Sequence, residues 1–97
     1  MASTKEYLDY ILDLLHEVDG ITYKKMMGEY VLYKDGIVFG GIYDNRFLIK
    51  KTKSQINKDF VEQIPYPGGS LMYLVDIENS SEIKKLVNEV VFDLKTK

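Results

Sequence analysis

Cysteine is absent from the 97-residue chain, which excludes disulfides, thiolate metal sites and thiol nucleophiles and fits a reducing compartment. Histidine occurs once, at His16, so the one side chain suited to acid–base work at neutral pH has no second imidazole beside it. No uninterrupted apolar run approaches the roughly 20 residues that a membrane-spanning helix needs. The opening residues Met1-Ala2-Ser3-Thr4-Lys5-Glu6 also lack the basic start and apolar stretch of a secretory signal. A cytoplasmic location is expected, with no membrane contact. There is no Gly-x-Ser-x-Gly elbow, and nothing marks an activating base for Ser54, Ser70, Ser80 or Ser81. Positive charge is not in excess either: 13 Lys and Arg stand against 15 Asp and Glu, a formal charge of −2, which suits phosphate backbones poorly.

What is present is apolar substance. The hydrophobic share of 45% and aromatic share of 12% are those of a folded chain, and the length suits one domain over residues 1–97. A domain this small buries about two-thirds of its unfolded surface. It can stand alone, and a homodimer would add to its stability.

Ser3 and Glu6 have capping-box spacing, and Leu8, Ile11, Leu12, Leu15 and Val18 recur at helical intervals. The pattern predicts a helix from about Thr4 to Asp19, stopped by Gly20. Four strands are then expected, at about Thr22 to Met27, Glu29 to Lys34, Ile37 to Tyr43 and Arg46 to Lys51. Asp35-Gly36 and Asp44-Asn45 supply the turns of an antiparallel meander. Thr52 or Ser54 can cap a short helix carrying Ile56, Phe60 and Val61, which must stop before Ile64-Pro65. Pro67-Gly68 suits the centre of a type II turn, and Leu71 to Val75 reads as the last strand. Asn79 and Glu82 repeat the capping spacing ahead of an apolar stripe, Ile83, Leu86, Val87, Val90, Val91 and Leu94. The expected class is α+β, an antiparallel sheet of about five strands with three helices on one face, in the order α-β-β-β-β-α-β-α.

Few residues suggest chemistry. Asp9, Asp13, His16 and Glu17 fall within about 100° on a helical wheel, yet they lie opposite the apolar stripe, where a solvated face belongs. Gly40-Gly41 inside a strand and Gly68-Gly69 ahead of one do not form a phosphate loop, which needs amides at a helix start; a bulge or close packing is expected at Gly40-Gly41. The densest basic segment runs from Arg46 through Lys50, Lys51 and Lys53 to Lys58 and is the one candidate for nucleic-acid contact. Tyr30-Val31-Leu32-Tyr33 places apolar or aromatic groups on both faces of its strand, which makes the sheet a candidate docking surface.

The run Met26-Met27-Gly28-Glu29-Tyr30-Val31-Leu32-Tyr33-Lys34-Asp35-Gly36, continued by Phe39-Gly40-Gly41-Ile42-Tyr43-Asp44-Asn45-Arg46-Phe47-Leu48-Ile49-Lys50, resembles the signature of the TfoX (Sxy) N-terminal domain family. The flanking helices and the Pro65-Tyr66-Pro67 loop sit where that domain would have them. The resemblance implies a fold similar to secretion chaperones and a regulatory role, since members are linked to induction of DNA uptake alongside a cyclic-AMP-responsive activator. It implies no catalytic residues and no cofactor. Two departures stand out: many members have glycine where this chain has Glu29 or Tyr30, and the C-terminal domain of longer members has no counterpart after Lys97.

The expectation is therefore a non-enzymatic regulatory or adaptor domain whose partner is a protein, a transcription activator being the candidate. Tyr30, Tyr33, Tyr43 and Phe47 are the candidate interface residues. Direct nucleic-acid binding through Arg46, Lys50, Lys51 and Lys53 is the alternative.

Overall fold

The computed structural model describes residues 2–55 and 59–96. Its elements are α1 (Lys5–Leu14), β1 (Ile21–Met26), β2 (Glu29–Lys34), β3 (Ile37–Ile42), β4 (Phe47–Ile49), a 3₁₀ turn (Lys53–Gln55), β5 (Val61–Gln63), β6 (Met72–Leu74) and α2 (Ser80–Lys95). All six strands join one antiparallel sheet in the order β1-β2-β3-β4-β6-β5. The α+β class and the four-strand meander agree with the sequence, but the described residues hold six strands and two α-helices rather than five and three.

The difference lies in residues 52–64. Ile56 falls outside the described residues, while Val61–Gln63 is extended and pairs with β6 through Val61↔Leu74, Glu62↔Tyr73 and Gln63↔Met72. The i, i+4, i+5 spacing of Ile56, Phe60 and Val61 mimics a helix, but pairing satisfies the outer edge of β6, and Phe60 stacks on Tyr73 with ring centroids 5.6 Å apart. The 3₁₀ turn is organised by Gln55, which is fully buried. Its Oε1 accepts from the Thr52 backbone N–H at 2.7 Å and the Thr52 hydroxyl at 2.8 Å.

Helix α1 is also shorter than its apolar repeat suggests. The Leu15 N–H is shared between the carbonyls of Ile11 and Leu12, which tightens the last turn. Leu15 and Val18 still reach the core from the turns that follow. Thr4, not Ser3, caps the helix by accepting from the Tyr7 N–H at 3.1 Å. Helix α2 begins as expected, with the Asn79 side chain accepting from Glu82 N–H at 3.0 Å.

Three two-residue turns close the meander: Met27-Gly28, Asp35-Gly36 and Asp44-Asn45, all at positive φ, the mirror-image geometry that matches strand twist. Pro67 and Gly68 occupy the centre of a further turn, with Gly68 at φ 87° and the Gly69 N–H donating to the Tyr66 carbonyl at 2.9 Å, as type II requires. Between β2 and β3 the register shifts after Leu32, so Phe39 is an extra residue between Val38 and Gly40. A bulge thus forms beside Gly40, where a Cβ would lie 2.3 Å from the Leu48 carbonyl oxygen.

Both helices pack on one face of the sheet. Leu8 and Ile11 of α1 and Ile83, Leu86, Val87, Val90 and Val91 of α2 share a single core with Leu32, Phe39, Ile42, Phe47 and Ile49. Leu48 is fully buried but outside that core. Strand alternation turns it to the opposite face, beside Gly41 and Leu74.

Ser3, freed from capping, fastens the chain start to the sheet. Glu29 Oε1 accepts from the Ser3 N–H at 3.0 Å and its hydroxyl at 2.6 Å, and the Asp44 N–H donates to both carboxylate oxygens at 3.1–3.2 Å. Asn45 N–H donates to Ser3 Oγ at 3.1 Å, and Asn45 Oδ1 accepts from Thr4 N–H at 2.9 Å. One carboxylate therefore joins the residues ahead of α1 to the β3–β4 turn. Replacing Glu29 by alanine strips the Ser3 hydroxyl and the Asp44 N–H of their acceptor, while the Ser3 N–H keeps the Gly28 carbonyl at 3.1 Å; it is expected to lower stability by about 2 kcal/mol, read by urea denaturation, with faster amide exchange at Asp44.

Candidate functional site

The interface residues suggested by the sequence divide between the two faces. Tyr30 is 5% exposed and Phe47 1% exposed, and both belong to the core under the helices. They are therefore not available to a partner in the folded domain, a correction that follows from strand register. Tyr30 pairs across from Ile42, and Ile42 from Phe47, so the three form one row facing the helices. Tyr33 and Tyr43 are half-buried and point the other way, to the face that no helix covers among the described residues.

Tyr43 is the centre of that second face. Its ring lies across Gly41, where a Cβ would come within 2.8 Å of the Tyr43 ring and hydroxyl, so glycine is what lets the ring lie flat on the strand. Tyr66, 55% exposed, packs beside it with centroids 5.9 Å apart. A groove of 790 Å³ runs from Tyr43 and Tyr66 past Lys50 and Met72 to Asp93 in the last turn of α2. Tyr66, Leu71 and Met72 were not singled out from the sequence; an aromatic residue between two loop prolines was the available signal for Tyr66. The Tyr43 hydroxyl is held above its ordinary pKa, first by burial and then by Tyr66, Glu29 and Tyr33.

The basic segment divides: Lys50, Lys51 and Lys53 line the same groove, whereas Arg46 is not part of that lining. Arg46 is turned inward: Nε donates to the Tyr43 carbonyl at 3.1 Å, Nη1 to Gln63 Oε1 at 2.6 Å, and Nη2 to the carbonyls of Ile64 and Pro65 at 3.2 and 3.3 Å. It clamps the β3–β4 turn to the loop that carries Tyr66. Lys51 pairs with Glu62 and lies 5.4 Å above the Tyr73 ring; the hydrogen bond to Glu62 comes first among the causes that raise its pKa. Lys50 and Lys53 are exposed, with no ion pair among the described residues, and Lys58 lies outside the described residues.

The acidic face of α1 remains a solvated surface. His16 Nδ1 sits 2.7 Å from the Asp13 carbonyl oxygen, and Nε2 is 3.8 Å from Glu17, while Lys5 holds Asp9 at 3.0 Å. No group of three or more His, Cys, Asp or Glu suited to a metal occurs among the described residues. Nor is any helix there long and apolar enough to cross a membrane.

Comparison with known proteins adds what the geometry cannot. The family model described as the TfoX N-terminal domain matches residues 13–67, more than half of the chain. The chain belongs to the TfoX N-terminal domain family. It is also 32% identical over 80 residues, 78% of its own length and 68% of the relative's, to an uncharacterised 12.7 kDa protein encoded in the trpE 5′ region of Spirochaeta aurantia. The segment matched to the TfoX N-terminal domain contains the whole β1–β4 meander, Arg46 with its acceptors, and Tyr43 and Tyr66 of the groove.

Two outcomes are expected here. Arg46→Met removes every side-chain bond of the clamp and should cost about 1–3 kcal/mol in urea denaturation, with loss of the Tyr43–Tyr66 ring contact by NMR. Arg46→Lys does not restore it, because an ammonium cannot reproduce the planar fork. In a tyrosinate absorbance titration, Tyr43 ionises above the ordinary value of 10.0, and Tyr43→Phe removes a late-titrating component. Since the folded pKa is the raised one, this stabilisation is full below pH 10 and is lost as pH rises through the folded value.

Proposed function

We propose that this domain is a non-enzymatic regulatory or adaptor module that works by protein contact through the helix-free face of its sheet, in the cytoplasm. The observation that carries this reading is the placement of aromatic surface. Half-buried Tyr33 and Tyr43 share that face, and the exposed Tyr66 and Leu71 border its groove. Aromatic rings held rigidly at a surface contribute more binding energy per residue than other side chains and lose little entropy on contact. Membership of the TfoX N-terminal domain family supports a transcription activator as the partner, through the role that the resemblance implies.

Nucleic-acid contact is less well supported. Arg46 spends its donors inside the fold and Lys51 is paired, so Lys50 and Lys53 are what remain of the described basic segment for phosphates, on a chain of net charge −2.

The test is a binding measurement between the purified domain and the cyclic-AMP-responsive activator of its own organism. Binding is expected, and Tyr33→Ser combined with Tyr66→Ser should weaken it at least tenfold while the urea midpoint stays near that of the parent. Failure to bind the activator removes that partner. Retention of duplex DNA at low salt, falling steeply as salt is raised, would replace protein contact by nucleic-acid binding.

A further inference from the structure

The outer edge of β1 holds features that the groove does not account for. The Met27-Gly28 turn is flanked by the pair Met26↔Glu29, and residues flanking a two-residue turn exchange both ladder bonds. At the other end of the hairpin the Asp35 N–H donates to the Gly20 carbonyl at 3.0 Å. Counting inward from both ends, Gly20, Thr22, Lys24 and Met26 bond toward β2, so Ile21, Tyr23 and Lys25 direct their N–H and C=O groups away from the sheet. Among the described residues no hydrogen bond reaches these outward groups. The strand is exposed from Thr22 to Met26, and Met27 at its tip is 99% exposed in a left-handed backbone conformation unusual for its type.

An open edge of this length is a template for another strand, and edges are commonly guarded by proline, by bulges or by charge. β1 has no proline, and the register shift of the sheet lies elsewhere, between β2 and β3. Its guard is Lys24 and Lys25, the only charged residues from Gly20 to Gly28. They stand on opposite faces: Lys25 on the helix side with Tyr23, Lys24 on the other with Thr22. Lysines repel a strand that also carries lysine, including a second copy of this one. A symmetric β1–β1 pairing that keeps the two sheet faces aligned either sets a lysine opposite its own image or gathers four lysines on two adjacent strands. The same lysines attract a strand that carries acid.

We propose that β1 is a docking edge that takes up an extended acidic segment of a partner protein as a seventh strand, with acids at neighbouring positions to reach Lys24 on one face and Lys25 on the other. Main-chain bonds to Ile21, Tyr23 and Lys25 supply the attachment, and the two lysines select for charge. The proposal rests on the reading that this domain acts by protein contact; it adds the edge, the mode and the charge of the partner.

The probe is a synthetic peptide of valine, threonine and adjacent glutamates, compared with the same peptide carrying lysine for glutamate, each added to the isotope-labelled domain. The acidic peptide is expected to slow amide exchange at Ile21, Tyr23 and Lys25 at least tenfold, and the lysine peptide to leave it unchanged. Lys25→Pro removes an outward N–H and no ladder bond, and should weaken the acidic peptide tenfold or more. Lys24→Glu with Lys25→Glu keeps every backbone group and should exchange the preference, which preserves the test if the proline variant fails to fold. Absence of protection at millimolar peptide, or shifts confined to Tyr33 and Tyr66, overturns the proposal. So does protection of the same three amides without peptide that grows with protein concentration, the sign of a second copy. If the peptide fails while the activator still binds, the edge proposal falls and the functional reading stands. If the peptide docks and the activator does not bind, the partner assignment falls and the edge proposal stands.

Discussion

The register of four strands, fixed by turns that leave no slack, is the constraint on which the rest of this structure depends. A two-residue loop at positive φ admits one alignment of its flanking strands, and a slip by one residue would exchange the two faces of the sheet. With Met27-Gly28, Asp35-Gly36 and Asp44-Asn45 in place, Leu32, Ile42, Phe47 and Ile49 turn together toward the helices, and Val31, Gly41 and Leu48 form a row on the far side. The bulge at Phe39 is the one irregularity in this alignment, and it adds a fully buried ring to the core.

Much of this was legible in the residues. Helix α2 follows from a cap and an unbroken apolar stripe, and two of the turns follow from dipeptides that tolerate left-handed backbone. The Met27-Gly28 turn was less visible because methionine rarely takes the first position of such a turn. β5 was obscured by a spacing that fits a helix as well as a strand, and only its pairing with β6, across the loop that carries Pro65 and Pro67, decides between them. Alternation revealed that Tyr30 and Tyr33 face opposite ways but not which of them would meet the helices. That depends on where α1 and α2 cross the sheet, which no local pattern encodes. Arg46 likewise reads as a free cation until the loop at residues 63–65 brings three acceptors to it.

The candidate site gains its character from asymmetry. Among the described residues two helices pack on one face of six strands, and the other is sheltered chiefly by Tyr43 lying across Gly41 and by the loop held by Arg46. That arrangement leaves an open groove bordered by the rings of Tyr43 and Tyr66. The Glu29 tie strengthens the end of the sheet nearest this surface.

The strand order β1-β2-β3-β4-β6-β5 also bears on how the chain acquires its shape during synthesis. The first three strands pair only with sequence neighbours, contacts that form early and fast, and β4 joins them before its other edge meets β6. Their apolar face, however, is covered largely by α2, which follows all six strands in the chain. A nascent chain can thus complete its meander while Leu32, Phe39 and Ile42 remain open to water, and the interval before α2 arrives is when the protein is most exposed to aggregation.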